Sequence, residues 1–143
     1  MQGLAMQCAA IPYRRAQSGD LEILLVTSRS KGNWILPKGK VKPGKTAALS
    51  AQEEVYEEAG ALGVVDQALV ARFDLSVTGK DADAVREEMQ VFSLEVESLA
   101  LVWPEMFQRQ RRWVSVPDAL EAIRNARIRR ALRDFAMMMA PII

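Results

Sequence analysis

The stretch WILPKGKVKPGKTAALSAQEEVYEEAG, running from Trp34 to Gly60, decides how this chain folds. It opens with a short apolar run, Trp34-Ile35-Leu36, which breaks into a Pro/Gly loop. Pro43-Gly44 closes that loop just before Lys45 and Thr46. Thr46 suits an N-cap and Gly60 suits a left-handed C-cap, so the spacing predicts a helix from Ala47 to Ala59. Its apolar stripe is Ala48, Ala51, Val55 and Ala59, residues small enough for close packing on a sheet. The order is strand, glycine loop, helix.

The last turns of that helix carry Glu53, Glu54, Glu57 and Glu58. At about 100° per residue, Glu54, Glu57 and Glu58 fall within an arc of roughly 100°. Each like-charge pair at three- or four-residue spacing costs about 0.2–0.5 kcal/mol, and acids in a last turn face the negative end of the helix dipole. Helical stability therefore does not select this pattern. A solvated acidic face is the plain alternative. A divalent cation with hard oxygen ligands, Mg2+ or Mn2+, is the simplest agent that neutralises the cluster.

At these residues the chain resembles the Nudix hydrolases. Their signature is a glycine, an acid six residues on, then Arg-Glu, a hydrophobic, any residue, Glu-Glu, any residue and Gly. Gly39, Glu54, Val55, Glu57, Glu58 and Gly60 match at the family's spacing, with Ala61 in the small or hydrophobic place that follows. Two positions depart: Lys45 replaces the acid and Glu53 replaces the arginine. In the family those two commonly pair, so Lys45 and Glu53 are expected to form the same pair with its signs reversed. That contact requires the loop to fold back on the helix.

The resemblance implies an α+β fold, an α/β/α sandwich with a mixed sheet and flanking helices. It also implies metal-dependent hydrolysis of a phosphoanhydride, in a nucleoside diphosphate linked to another moiety or in a related polyphosphate. Glu54, Glu57 and Glu58 would bind Mg2+ or Mn2+, with Glu57 or Glu58 doubling as the base. Acids outside the motif, Glu87, Glu88 and Glu95, are further candidates for that base. Lys38 and Lys40 flank Gly39, where backbone can approach a phosphate closely, and Arg29 is expected to join them in substrate binding. Trp34 to Gly39 looks like the diadenosine polyphosphate hydrolase branch. Val91-Phe92, Arg111-Arg112-Trp113 and Asp118-Ala119 look like the diphosphoinositol polyphosphate phosphohydrolase branch. Both branches favour highly charged substrates. Trp34 is read as a core or rim residue ahead of a base-stacking one.

Composition sets the remaining bounds. With 143 residues, the chain reads as one domain over 1–143, able to bury about three fifths or more of its unfolded surface. One cysteine, Cys8, and no histidine exclude a disulfide framework, a Cys/His zinc site and any histidine-based triad. The formal net charge of +1 gives no general pull towards nucleic acid, and no apolar run has a membrane span's length. The segment from Met1 to Pro12 reads as structure and not as a signal peptide. The expectation is a cytoplasmic enzyme acting on a small phosphorylated molecule, without membrane or nucleic-acid partners.

Outside the motif, Ala5 to Pro12 and Leu21 to Ser28 read as a hairpin. Ala61 to Val65, Leu69 to Val77, Glu88 to Val96 and Trp113 to Ser115 read as strands, and Thr78 to Ala84 as a polar loop. Helices are expected from Pro117, capped by Ser115 or Val116, and from Arg127 to Met139. Met137, Met138 and Met139 are expected to complete the core or a subunit contact, with Leu132 and Phe135. Two other readings compete: a Nudix-fold binding module that has lost catalysis, suggested by Lys45 and Glu53, and an RNA 5′-end pyrophosphohydrolase, suggested by the arginines of the last third.

Overall fold

The computed structural model describes residues 5–75 and 87–141. In chain order the elements are β1 (Ala5–Arg15), β2 (Leu21–Thr27), β3 (Trp34–Ile35), β4 (Lys38–Lys40), α1 (Ala47–Ala59), β5 (Ala61–Leu75), β6 (Glu87–Leu99), β7 (Arg111–Ser115), α2 (Val116–Ala122) and α3 (Ala126–Met138). The strands form one mixed sheet in the order β3-β2-β1-β6-β5, with β4 paired to β1 and β7 to β2. β1 and β6 run parallel, and every other pair is antiparallel.

Strand alternation builds the layers. Cys8 and Ala10 of β1 join Leu24, Val26, Ala51, Val55 and Phe92 under α1. Ala9 and Ile11 join Ile23, Leu25, Val91, Leu132 and Phe135 beneath α2 and α3. Both faces of the sheet are thus covered, giving the α/β/α sandwich. β2 has helix on both sides, so Ile23, Leu24, Leu25 and Val26 are all fully buried.

The helix α1 has the expected bounds and caps. Thr46 Oγ1 accepts from the Leu49 N–H at 3.1 Å, and Gly60 adopts φ 63°, donating its N–H to Tyr56 O at 2.9 Å. Ala48, Ala51, Val55 and Ala59 are buried, as their stripe predicts. Ser115 caps α2, and Asn125 caps α3 by accepting from the Arg127 and Ile128 N–H groups.

Four expectations change. First, the hairpin forms, but β1 continues beyond Pro12 to Arg15. Ala10 donates its N–H to Pro37 O, so by alternation the Pro12 nitrogen faces the same side. There β4 pairs only as far as Ala9 and β2 begins at Tyr13, so the missing donor falls in a gap. Second, Ala61–Leu75 is one strand where two were expected. Its register jumps from Val65↔Leu94 to Leu69↔Phe92, and the extra residues form a bulge. Third, Lys38–Lys40 is a strand instead of loop, because Gly39 pairs opposite Cys8. Fourth, of the residues expected to complete the core or a subunit contact, Leu132 and Phe135 are core and Met139 packs against it, whereas Met137 and Met138 are exposed and so take no part in the core. The expected loop Thr78 to Ala84, and positions 76 and 77 of the strand before it, lie outside the described residues.

Candidate active site

The glycine strand β4 lies against the acidic end of α1. A Cβ built on Gly39 would sit 2.5 Å from Glu54 Cδ, so only glycine leaves the Glu54 carboxylate its place beside this backbone. Next to it, the Lys38 N–H donates to Glu58 Oε1 at 3.4 Å. Glu58 is 2 % exposed. Burial raises its pKa to about 9, helped by the hydrogen bond with Glu54, while Arg109 opposes the shift. Burial also raises the Glu54 pKa. Burial thus favours the protonated form of this hydrogen-bonded pair. Glu57 is the most open of the three.

Cations surround the cluster. Lys42 Nζ lies 2.9 Å from Glu53 Oε2, 2.9 Å from Glu57 Oε1 and 3.8 Å from Glu54 Oε1. Lys45 pairs with Glu53, so the loop does fold back. On the other side, Arg109 reaches Glu58 Oε2 at 3.8 Å, and bonds Glu105 Oε1 and Thr27 O, each at 2.9 Å.

The segment between β6 and β7 also caps the helix end that bears these acids. Glu57 O accepts from the Glu105 N–H, Glu58 O from Trp103 Nε1 at 3.1 Å, and Ala59 O from Arg111 at 3.0 Å. The Arg111 guanidinium stacks 3.9 Å from the centre of the Trp103 ring. With Gly60 on Tyr56, the last four carbonyls of α1 are all satisfied, and a cation sits at the negative end of its dipole.

Lys42, Trp103 and Glu105 escaped the sequence reading, and Arg109 and Arg111 entered it without a role at this site. Lys42 had a signal, being a cation in the loop that precedes an acid-rich helix. Glu105 and Arg109 had another in their four-residue spacing. Trp103 and Arg111 had none, since their partners lie more than 40 positions away.

The expected phosphate-binding residues separate. The Lys38 side chain lines a cavity of about 420 Å³ on the face covered by α2 and α3, along with Trp34, Phe73, Met89, Glu87 and Asn125. Lys40 is exposed on β4 beside Gln7. Arg29 lines a different depression, with Phe107 and Arg109, and Trp34 borders both. Of the acids outside the motif, Glu87 accepts from Gln7 in the cavity, Glu88 pairs with Arg72 at 3.1 Å, and Glu95 is exposed on β6. Glu105 is the acid from another element that is fixed beside Glu58, through Arg109.

The sequence pattern of the NUDIX domain matches residues 6–135. The chain belongs to the Nudix hydrolase family. Nudix hydrolase 13, mitochondrial, from Arabidopsis thaliana is 32% identical over 146 residues, covering 91% of this chain and 72% of that protein. Diphosphoinositol polyphosphate phosphohydrolase 2 from Rattus norvegicus is 28% identical over 124 residues, covering 85% of this chain and 64% of that one. The C. elegans Ap4A hydrolase structure superposes with a TM-score of 0.69 at 21% identity, covering 96% of this chain and all of that one, and shares the fold. As a Nudix enzyme the chain is a pyrophosphohydrolase.

For this Nudix chain the donor chemistry fits a hard divalent cation: three carboxylates at the end of one helix, two of them beside a glycine backbone. Among the described residues no three acidic or cysteine side chains are yet arranged to hold a metal ion, and Lys42 Nζ lies between Glu53 and Glu57. Among the described residues no helix is long and apolar enough to cross a membrane.

Proposed function

We propose that this chain hydrolyses phosphoanhydride bonds of polyphosphate substrates that carry a nucleoside, dinucleoside polyphosphates ahead of inositol pyrophosphates, with Mg2+ or Mn2+ as cofactor. One observation carries the reading: Glu54, Glu57 and Glu58 are gathered at the end of α1, beside the exposed-edge backbone of Lys38 and Gly39. A bound divalent ion would neutralise and polarise the phosphates there. Glu54, Glu57 and Glu58 are the residues to hold it, and Glu57 or Glu58 takes the proton of the attacking water. Gly39 leaves room for the Glu54 carboxylate against the β4 backbone, which keeps that ligand beside the path of the phosphate chain.

The substrate preference comes from the cavity beyond β4. Lys38 belongs to both places, its N–H at Glu58 and its side chain in the cavity. Trp34, Phe73, Leu75 and Met89 give that cavity apolar and aromatic walls, with Gln7 and Asn125 as hydrogen-bonding groups. This suits a planar heterocycle. An inositol ring crowded with phosphates needs many cations, and among the described residues Lys38 and Arg124 are the cations that line the cavity. A small-molecule substrate in a cytoplasmic setting completes the reading; the plant relative named above is mitochondrial.

A phosphate-release screen across nucleoside triphosphates, nucleotide sugars, dinucleoside polyphosphates and inositol pyrophosphates, with and without Mg2+, tests it. Glu57→Gln and Glu58→Gln should each lower turnover by at least about 100-fold, the scale of losing a major electrostatic or general-base group. Folding should survive, since Gln keeps the size and a hydrogen-bonding oxygen of each side chain. Near-wild-type rates in both would remove these residues from the reaction. The ion pairs of Lys42 and Lys45 favour a second reading, a binding module with weakened catalysis. Nucleotide binding without turnover of any substrate would select it.

A further inference from the structure

Glu53 holds two cations while Glu57 holds one of the same two. Among the described residues Lys45 pairs with Glu53, and Lys42 lies 2.9 Å from both Glu53 and Glu57. The backbone of Lys42 is fixed, its N–H donating to Oγ of the fully buried Ser50 at 3.0 Å. Its side chain, about one third exposed, is the part free to move. Leaving Glu57 would not strand it, because the Glu53 carboxylate stays within reach.

We infer that Lys42 is a resident counter-cation: its ammonium holds Glu57 while no metal is bound, and yields that carboxylate to the divalent ion by pivoting towards Glu53. The inference rests on the metal-dependent reading given above. Three carboxylates within 4 Å of one ammonium give the metal-free site an internal cation at the place where a divalent ion gains most. Entry of that ion sets two like charges a few ångströms apart, so one must withdraw. Glu54 and Glu58 lie towards the buried side of the helix, and Glu57 is the ligand whose availability the exchange controls. Lys42 is thus a positioning residue that raises the ion concentration at which the site assembles. Arg109, the cation on the opposite side, is 8% exposed and held by Glu105 and Thr27, so it cannot make the same exchange.

The test is calorimetric titration of substrate-free protein with Mn2+ alone, beside thermal unfolding in chelator. Lys42→Met keeps the aliphatic stem and removes the charge. It should bind Mn2+ about 3- to 10-fold more tightly, the scale of one or two partly exposed ion pairs. It should also melt lower than wild type in chelator, with the deficit removed by saturating Mg2+. Lys42→Gln provides the same comparison if the methionine variant does not fold, and Lys42→Arg should keep wild-type affinity. Lys45→Met, which strips the other cation from Glu53 without touching Glu57, should leave the isotherm within about twofold of wild type. Equal or weaker Mn2+ binding by the uncharged Lys42 variants would overturn the inference and leave the hydrolase reading standing. Wild-type protein that binds no ion at all would overturn both.

Discussion

A carboxyl group at the centre of this site is most stable with its proton on. Glu58 keeps a proton that an unfolded glutamate loses near its ordinary pKa of 4.5, because burial lifts its folded value to about 9. Between those two values the folded chain binds more protons than the unfolded one, so the stability of metal-free protein falls as pH rises. For a single proton the slope is at most about 1.4 kcal/mol per pH unit. Glu54, whose pKa burial also raises, acts in the same direction above 4.5, whereas Glu53 and Lys42 act outside that window. The lowered pKa of Glu53, caused by Lys45 and then Lys42, adds stability that is lost only below 4.5. The raised pKa of Lys42, caused by Glu57 and Glu53, adds stability that is lost only above 10.5. Thermal melts in chelator should therefore show a falling midpoint from pH 5 to 8. With saturating Mg2+ the fall should flatten, since a metal-bound carboxylate is ionised and binding expels the proton. For the same reason Mn2+ affinity should rise with pH, and a flat profile in both measurements would contradict the proton on Glu58.

At the scale of elements, α1 and its caps were legible because everything that sets them is local: Thr46, the small-residue stripe and Gly60. β4 was not, since Lys-Gly-Lys has no period to read and becomes a strand only by meeting Cys8. The bridge from loop to helix was half legible. Lys45 and Glu53 were expected to pair, and Lys42 turns out to share the same carboxylate. That third member alters what a double-mutant cycle should give. Lys45→Glu and Glu53→Arg should each lower activity, by setting like charges together and shifting Glu54. The double variant should recover only part of the loss, because Arg at position 53 still faces Lys42. Adding Lys42→Glu should complete the Glu53 side of the repair, at the expense of Glu57. Strictly additive effects of Lys45 and Glu53 on kcat/KM would show that their contact does not matter for turnover.

Taken as a whole, the molecule places the carboxylates and the cavity on opposite faces of its sheet, joined across β4. The glutamates could be read from spacing, whereas the cavity could not, since Gln7, Phe73, Glu87 and Ile128 come together only through the sheet and α3. This layout bears on substrate length. A phosphate chain must run from Glu58 past Lys38 for its distal group to enter the cavity. Substrates with four or more phosphates should thus show higher kcat/KM than diphosphate-linked sugars, each added charge-assisted contact contributing about 1.5–3 kcal/mol before ordering costs. Lys38→Met should narrow that difference, mainly through KM. A clear preference of wild type for a nucleotide sugar would refute the length rule without touching the hydrolase assignment. The parallel pairing of β1 with β6 has a further consequence, for the order of assembly. Ala5 meets Glu87 and Tyr13 meets Glu95, so the central seam of the sheet closes only after most of the chain has been gathered. Such long-range closure belongs to the slower range of two-state folding, milliseconds to seconds. The residues that cap α1, from Trp103 to Arg111, follow β6 in sequence. The acidic helix end therefore acquires its final support late, and a refolding chain would recover compactness before it recovers turnover.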